Sequence, residues 1–398
     1  MIPFAGGFQG CVKCFTAVAD IGAFGLACER FAGNVLAAEN HSQFHLRCYH
    51  VNLERSAPLK ITKVMTGCVF GALTLGAVTL PAAAQEVNVY SLRQAFLVEP
   101  LFAKFTEQTG VKVNVIFAEK GLVERIKQEG VNSPADVLMT VDISRISDAV
   151  AAGVTESVNS DVLQNSIPAH LRDENGHWFA LTQRGRAIYA SKERVAEGEI
   201  TRYEDLADPK WEGRVCTRSG THDYNIALFA SMIAHHGAED AKAWLEGLKS
   251  NLARKPQGND RGQVKAIKEG ECDIAIGNTY YFGKMMDNPD QRSWAEAVNI
   301  VFPNQADRGM SMNISGMTLI KGAPHKENAI KLMEFLVSDE AQKIYAEVNY
   351  EYPVKPGVEW AENVKSWGTF KADDLPLAEI ARLRADAVRM VDQVGYNE

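Results

Sequence analysis

CDIAIGNTYYFG, residues 272–283, is the stretch on which the reading of this chain turns. Cys272 to Ile276 reads as a strand: short, apolar and closed by Gly277 and Asn278. It delivers two adjacent tyrosines, Tyr280 and Tyr281, into a Gly/Asn turn. Two neighbouring phenols in such a turn make a poor core element, and from a loop both oxygens can converge on one point. A phenolate is a hard anionic oxygen donor, and hard, highly charged cations take oxygen over thiolate or thioether. Fe(III) is the biological cation that best justifies deprotonating a group whose free pKa is about 10. Read alone, the dipeptide also fits an aromatic pair at a strand end.

Upstream the same arrangement recurs. Arg214 to Thr217 reads as a strand entering the loop Arg218 to Asp223, and that loop opens a helix from Tyr224 to His236. A third tyrosine therefore stands at a helix start just after a strand. Further out, Val87 to Tyr90 alternates as a strand, followed by a helix carrying Leu101, Phe102 and Phe105 and stopped by Gly110. Val111 to Phe117 is a second strand, Leu122 to Gln128 a helix, Asp136 to Thr140 a strand, and Ile143 to Ala152 a helix. This β-α-β-α rhythm implies a parallel sheet covered by helices.

Beyond it, Ala187 to Ala190, Asn299 to Phe302 and Met317 to Ile320 read as strands. Ala238 to Ser250, Val264 to Lys268, Ala329 to Leu336 and Asp339 to Val348 read as helices, the last capped by Ser338. One closing helix is expected over Leu375 to Val394. Strands that cross to a second α/β lobe and later return fit a two-lobed clamshell. The expected lobes are 85–184 with 310–358, and 185–309 with 359–398. Ligands of such folds sit in the cleft, at the carboxyl ends of strands and at helix N-termini.

The first 84 residues read differently. Lys60 and Lys63 precede an apolar run from Val64 to Leu80, and Pro81-Ala82-Ala83-Ala84 follows. That is an export signal spanning 60–84, with cleavage expected after about Ala84. The run is short for a membrane span of ~20 residues. Residues 1–59 read as a non-native or disordered N-terminal extension, because an export signal does not begin at residue 60. Their Cys11-x-x-Cys14 has no second CxxC or His pair to complete a metal site.

The chain has 398 residues and a formal charge of −8. The first 84 hold six Lys+Arg and four Asp+Glu, which leaves 36 against 46 and a charge of −10 from residue 85 on. An acidic exported protein is a poor nucleic-acid binder. Only Cys216 and Cys272 remain after residue 84. In an oxidising compartment they form either one disulfide or two buried thiols. Each precedes a suspected site tyrosine, Tyr224 or Tyr280, by eight residues.

Six segments together carry a family resemblance. They are Val89 to Gln94, Asn132 to Val137, Thr140 to Asp142, Arg218 through Asn225, Cys272 through Tyr281, and Phe302 to Gln305. In order and spacing the chain resembles the periplasmic ferric-iron-binding (FutA-like) proteins of bacterial ABC importers, over essentially all of 86–398. The resemblance implies the class II periplasmic binding protein fold: two α/β lobes joined by a two-strand hinge. It also implies Fe(III) held by Tyr224, Tyr280 and Tyr281, with Arg184 near the metal. Many relatives carry His or His-Tyr where this chain has Gln94 and Ala95, so the first lobe is expected to give no strong ligand. Three phenolates neutralise Fe(III), and open positions can take water or a small anion such as carbonate or citrate. Arg93 and Arg184 are the candidate anion partners, since a guanidinium fork matches carboxylate oxygens. Gln94, Asn278 and His222 are candidates for contacts around the anion or metal, and Asp142 is either such a group or a helix cap.

The reading is then a periplasmic Fe(III)-binding protein, monomeric, that serves an inner-membrane ABC permease and its ATPase and has no catalytic role. The rival is a binding protein for another small cargo: a polyamine, thiamine or an organic anion. Fe(II) as cargo is a third reading. An enzyme is disfavoured by the absence of G-x-S-x-G, HExxH and 2-His-1-carboxylate patterns.

Overall fold

The computed structural model describes residues 85–398; the extension and export-signal readings concern residues 1–84 and lie outside the described residues. Strand β1 (Glu86–Ser91) buries Val87 and Val89. The helix Ala95–Thr109 adds Leu97, Val98, Leu101, Phe102 and Phe105 to the same core. Their spacing makes one apolar stripe of helical period. Gly110, at φ 70°, ends the helix with its N–H on the Thr106 carbonyl. β2 (Lys112–Phe117) and β3 (Val137–Thr140) lie parallel on either side of β1, as helical crossovers require.

Seven strands follow: β4 (Thr155–Glu156), β5 (Phe179–Ser191), β6 (Val215–Cys216), β7 (Ile274–Asn278), β8 (Val298–Val301), β9 (Met312–Ile320) and β10 (Tyr352–Pro353). β9 inserts antiparallel between β3 and β5, so the first sheet runs β2-β1-β3-β9-β5. β4 adds to β9 and β10 to β5. β5 is the hinge of the architecture. It pairs with β9 as far as Gly185↔Met312, and from Arg186↔Asn278 it pairs with β7 in the second sheet. β8 joins the far end of β5, and β6 lies parallel to β7. The chain comes back from β8 to β9 through residues 302–311, where the Arg186 N–H donates to the Ser311 carbonyl at 3.0 Å. Two sheets that exchange strands in this way form a two-lobed α/β clamshell. Among the described residues no helix is long and apolar enough to cross a membrane.

Three expectations need correction. The Tyr280-Tyr281 pair is not in a loop: it opens a helix, Tyr280–Asp287, because the turn at Asn278 and Thr279 is short enough for a helix to start at once. The strand around Ala187–Ala190 is thirteen residues long, since β5 serves both sheets. The closing helix is two, Leu377–Arg382 and Arg384–Val394. The bend at Leu383 lets the first half pack on helices Ile143–Ala151 and Asp223–His236, and the second on Asp223–His236 and Ala238–Ser250.

Candidate metal centre

β7 ends one residue before Thr279 and the Tyr pair, so the second sheet fixes where the two phenols emerge. Their rings lie 4.2 Å apart between centroids, tilted by 35°. Tyr224, second residue of helix Asp223–His236, reaches the same place from β6. Its hydroxyl is 3.4 Å from that of Tyr280, close enough for both oxygens to share one small cation. A disulfide joins Cys216 of β6 to Cys272 just before β7, with Cα atoms 5.9 Å apart. It ties together the two strands that carry the three tyrosines.

Tyr280 and Tyr281 are only 4% and 6% exposed. Burial, then the neighbouring Tyr224, pushes both phenols well above their ordinary pKa. Arg184 works against this at Tyr280 and Arg218 at Tyr281. Without a metal these groups therefore hold their protons, and a cation that binds them must displace those protons.

The site rests on a polar platform that the sequence did not reveal. Asp260 is fully buried and accepts from Arg186 at 2.6 Å, Arg218 at 3.1 Å and the Asn278 N–H at 3.0 Å. Burial opposes its ionisation, but Arg186 and Arg218 outweigh that and hold its pKa low. Arg186 also donates to Asn278 Oδ1 at 3.0 Å and Asn225 Oδ1 at 2.6 Å. Arg184, Arg186 and Arg218 all lie within 6 Å of the Tyr224 ring centroid, at 5.3, 5.9 and 5.3 Å. Tyr189 is buried and donates to the Asn278 carbonyl at 2.7 Å. Tyr90 is likewise buried.

The other expected residues fall in and around a cavity of about 440 Å³ that the three tyrosines line. Arg93 lines the cavity, but both terminal nitrogens donate to Glu351, at 3.2 and 2.7 Å, so its charge is already neutralised. Arg184 is buried, donates Nη2 to the Val141 carbonyl and has no partner for Nη1. Gln94 is exposed in the cavity wall at the start of helix Ala95–Thr109, with no capping bond. Asn278 is engaged by Arg186, leaving Nδ2 without a partner. His222 is the N-cap of helix Asp223–His236: its Nδ1 accepts from the Tyr224 N–H at 3.2 Å. Burial, then Arg218, lowers its pKa to about 4, which keeps that nitrogen free to accept. Asp142 is the N-cap of helix Ile143–Ala151, accepting from the Arg145 N–H at 2.9 Å. Burial and then Asp223 raise its pKa to about 6.

In charge, the cavity wall opposes the chain as a whole. Arg93, Lys120, Arg145, Arg184, Arg218 and Arg261 face Glu119, Asp223 and Glu351. Among the described residues no group of three His, Cys, Asp or Glu could hold a metal.

The family described as bacterial extracellular solute-binding protein matches residues 132–374. The chain is 44% identical over 319 residues to iron uptake protein A1 of Synechocystis sp., covering 79% of this chain and 89% of that protein. It is 26% identical over 316 residues to the major ferric iron-binding protein of Neisseria meningitidis, covering 78% and 93%. Among solved structures, apo ferric ion-binding protein A of Pasteurella haemolytica aligns with a TM-score of 0.77 at 54% identity, covering 79% of this chain and 99% of that one. Trichodesmium FutA in complex with iron and citrate aligns with a TM-score of 0.74 at 45% identity, covering 78% and 99%. The chain belongs to the family of bacterial extracellular solute-binding proteins, with iron uptake and ferric-binding proteins among its relatives, and has their two-lobed class II fold.

Proposed function

We propose that this protein is the Fe(III)-binding component of a bacterial ABC iron importer, with Tyr224, Tyr280 and Tyr281 as the metal ligands. The observation that carries the reading is the convergence of three phenols, two of them with oxygens 3.4 Å apart, on a cavity rich in arginine. The iron uptake and ferric-binding relatives support it. Loading displaces three phenol protons, and the three phenolates balance the charge of the ion. Because protons compete for the same oxygens, affinity falls as pH falls. Gln94 is a poor Fe(III) ligand, so a small anion, carbonate or citrate, completes the coordination. The unpartnered Nη1 of Arg184 is its natural donor. Arg93, already paired with Glu351, is not.

The lobes are proposed as 85–184 with 310–358 and 185–309 with 359–398, closing over the loaded metal by hinge motion where β5 changes sheets. Iron biases that closure by binding the closed form better. The protein acts in the periplasm after loss of residues 60–84, as a monomer that hands iron to a permease and its ATPase, and is a carrier rather than an enzyme. The surplus of cations in the cleft disfavours a polyamine cargo.

The test is a visible absorption spectrum of the purified protein during ferric citrate titration, beside a Tyr280→Phe/Tyr281→Phe variant. An orange-red phenolate-to-iron band that saturates at stoichiometric iron and is lost in the variant is the expected result. A wild type without the band sinks the reading and leaves an organic anion as the cargo to screen.

A further inference from the structure

One contact in the cleft wall joins the two lobes and is not needed to hold iron. Arg145 lies in the first turn of helix Ile143–Ala151, which follows β3 of the first sheet. Asp223 is the first residue of helix Asp223–His236, which follows β6 of the second sheet, and it immediately precedes Tyr224. Two nitrogens of Arg145 reach Asp223 Oδ2: Nε at 2.7 Å and Nη2 at 2.5 Å. The remaining Nη1 donates to the Glu119 carbonyl at 3.1 Å, which sets the plane of the guanidinium. Asp223 Oδ1 takes a second cation, Arg384 Nη2 at 3.3 Å, from the C-terminal helix. The Asp223 side chain is 8% exposed and that of Arg145 23%, so the pair is shielded from solvent and poorly screened by salt.

We propose that Arg145 is a closure latch: a positioning residue that clamps the lobes through Asp223 and thereby sets how fast iron leaves the neighbouring Tyr224. The inference rests on the proposed iron site for its consequence, but the latch itself needs no metal. Opening the cleft must break both Arg145 contacts to Asp223. It would leave Asp223 with Arg384 as its remaining cationic partner. Truncating one partner of such a pair acts mainly on the rate of separation. Because Asp223 and Tyr224 share the first turn of one helix, freeing the carboxylate also frees the turn that presents the phenol.

The experiment compares wild type with Arg145→Met, Arg145→Lys, Asp223→Asn and the Arg145→Met/Asp223→Asn double variant. Lys242→Met, from a pair inside one surface helix, is the control. Two readouts are taken: the radius of gyration of the metal-free protein by small-angle scattering, and the rate of iron removal by excess EDTA. Expected are an expanded metal-free particle and iron loss about tenfold faster for Arg145→Met. Arg145→Lys, which keeps the charge but not the fork, falls between and covers failure of Arg145→Met to fold. The double variant loses iron no faster than Asp223→Asn alone, and Lys242→Met behaves as wild type. Wild-type radius and release rate in Arg145→Met and Arg145→Lys would overturn the latch, as would effects of Arg145→Met and Asp223→Asn that simply multiply. Scattering is read without iron, so failure of the iron reading leaves that arm intact.

Discussion

Asp142 caps its helix with one carboxylate oxygen while the other is buried without a partner. Burial is the main reason its pKa rises from 3.8 to about 6, and the charge of Asp223 adds to it. The sign follows from linkage. A raised folded-state pKa means stability that is complete below the unfolded value and is lost as pH rises through the folded one. At neutral pH the ionised group therefore costs stability, and the loss runs between about pH 4 and pH 6. Asparagine caps as well as aspartate and carries no charge to bury. Asp142→Asn is expected to raise stability at pH 7 by roughly 1–3 kcal/mol at about 1.4 kcal/mol per pKa unit, and to flatten the profile from pH 4 to 6. Urea unfolding of both proteins at pH 4, 6 and 7 checks it: an equal difference at all three values would contradict the assignment. At this scale the tyrosines were legible and their platform was not. Tyr224, Tyr280 and Tyr281 stand out because each follows a strand. Asp260 looks like an ordinary first-turn helix residue after the Asn259 cap. It becomes central only through the register Arg186↔Asn278, which no local pattern encodes.

Among the elements, helix Tyr280–Asp287 is held by what packs beneath it. Gly283 has no side chain because the ring of Tyr350 occupies that space: a Cβ there would lie 2.4 Å from Tyr350 Cγ. Tyr350 is itself committed, in the left-handed region at φ 60° as the C-cap of helix Asp339–Asn349 and bonded to Asp287. Neither partner can yield cheaply. Gly283→Ala should therefore push the helix, and the two phenols with it, off its present seat. The expected cost is about 1–3 kcal/mol, with a weakened and shifted iron band. Thermal unfolding and the ferric titration check the two parts; an unperturbed band would show that the phenols do not depend on this contact. Most elements were readable from periodicity, and the β-α-β-α opening lies close to its expected limits. What escaped was set by tertiary context. The bend at Leu383 reflects two different partner helices, and the length of β5 reflects its service to two sheets.

For the molecule as a whole, the decisive contrast is between global and local charge. The chain carries −8, yet the cleft wall presents more cations than carboxylates. Arg93 is matched by Glu351, Arg145 by Asp223 and Arg218 by Asp260. Arg184 sits buried beside the tyrosines, and Arg261 lies 5.8 Å over the Tyr281 ring. An acidic body with a cationic cleft repels anions at long range and focuses them at the mouth. Iron arriving as an anionic chelate should then associate faster when the outer field is screened only moderately, and should depend on Arg261 for its final approach. Removing Arg261 takes no ligand from the metal, so it should slow capture without changing the spectrum of the loaded protein. Arg261→Gln is expected to lower the association rate of ferric citrate about 3- to 10-fold at low salt, within the range of electrostatic steering. The difference should shrink as ionic strength rises past 0.1 M, where the screening length is about 10 Å. Stopped-flow absorbance at several salt concentrations measures it. If wild type and Arg261→Gln load at one rate at every salt concentration, the cleft field plays no part in capture and the arginines serve only the bound state.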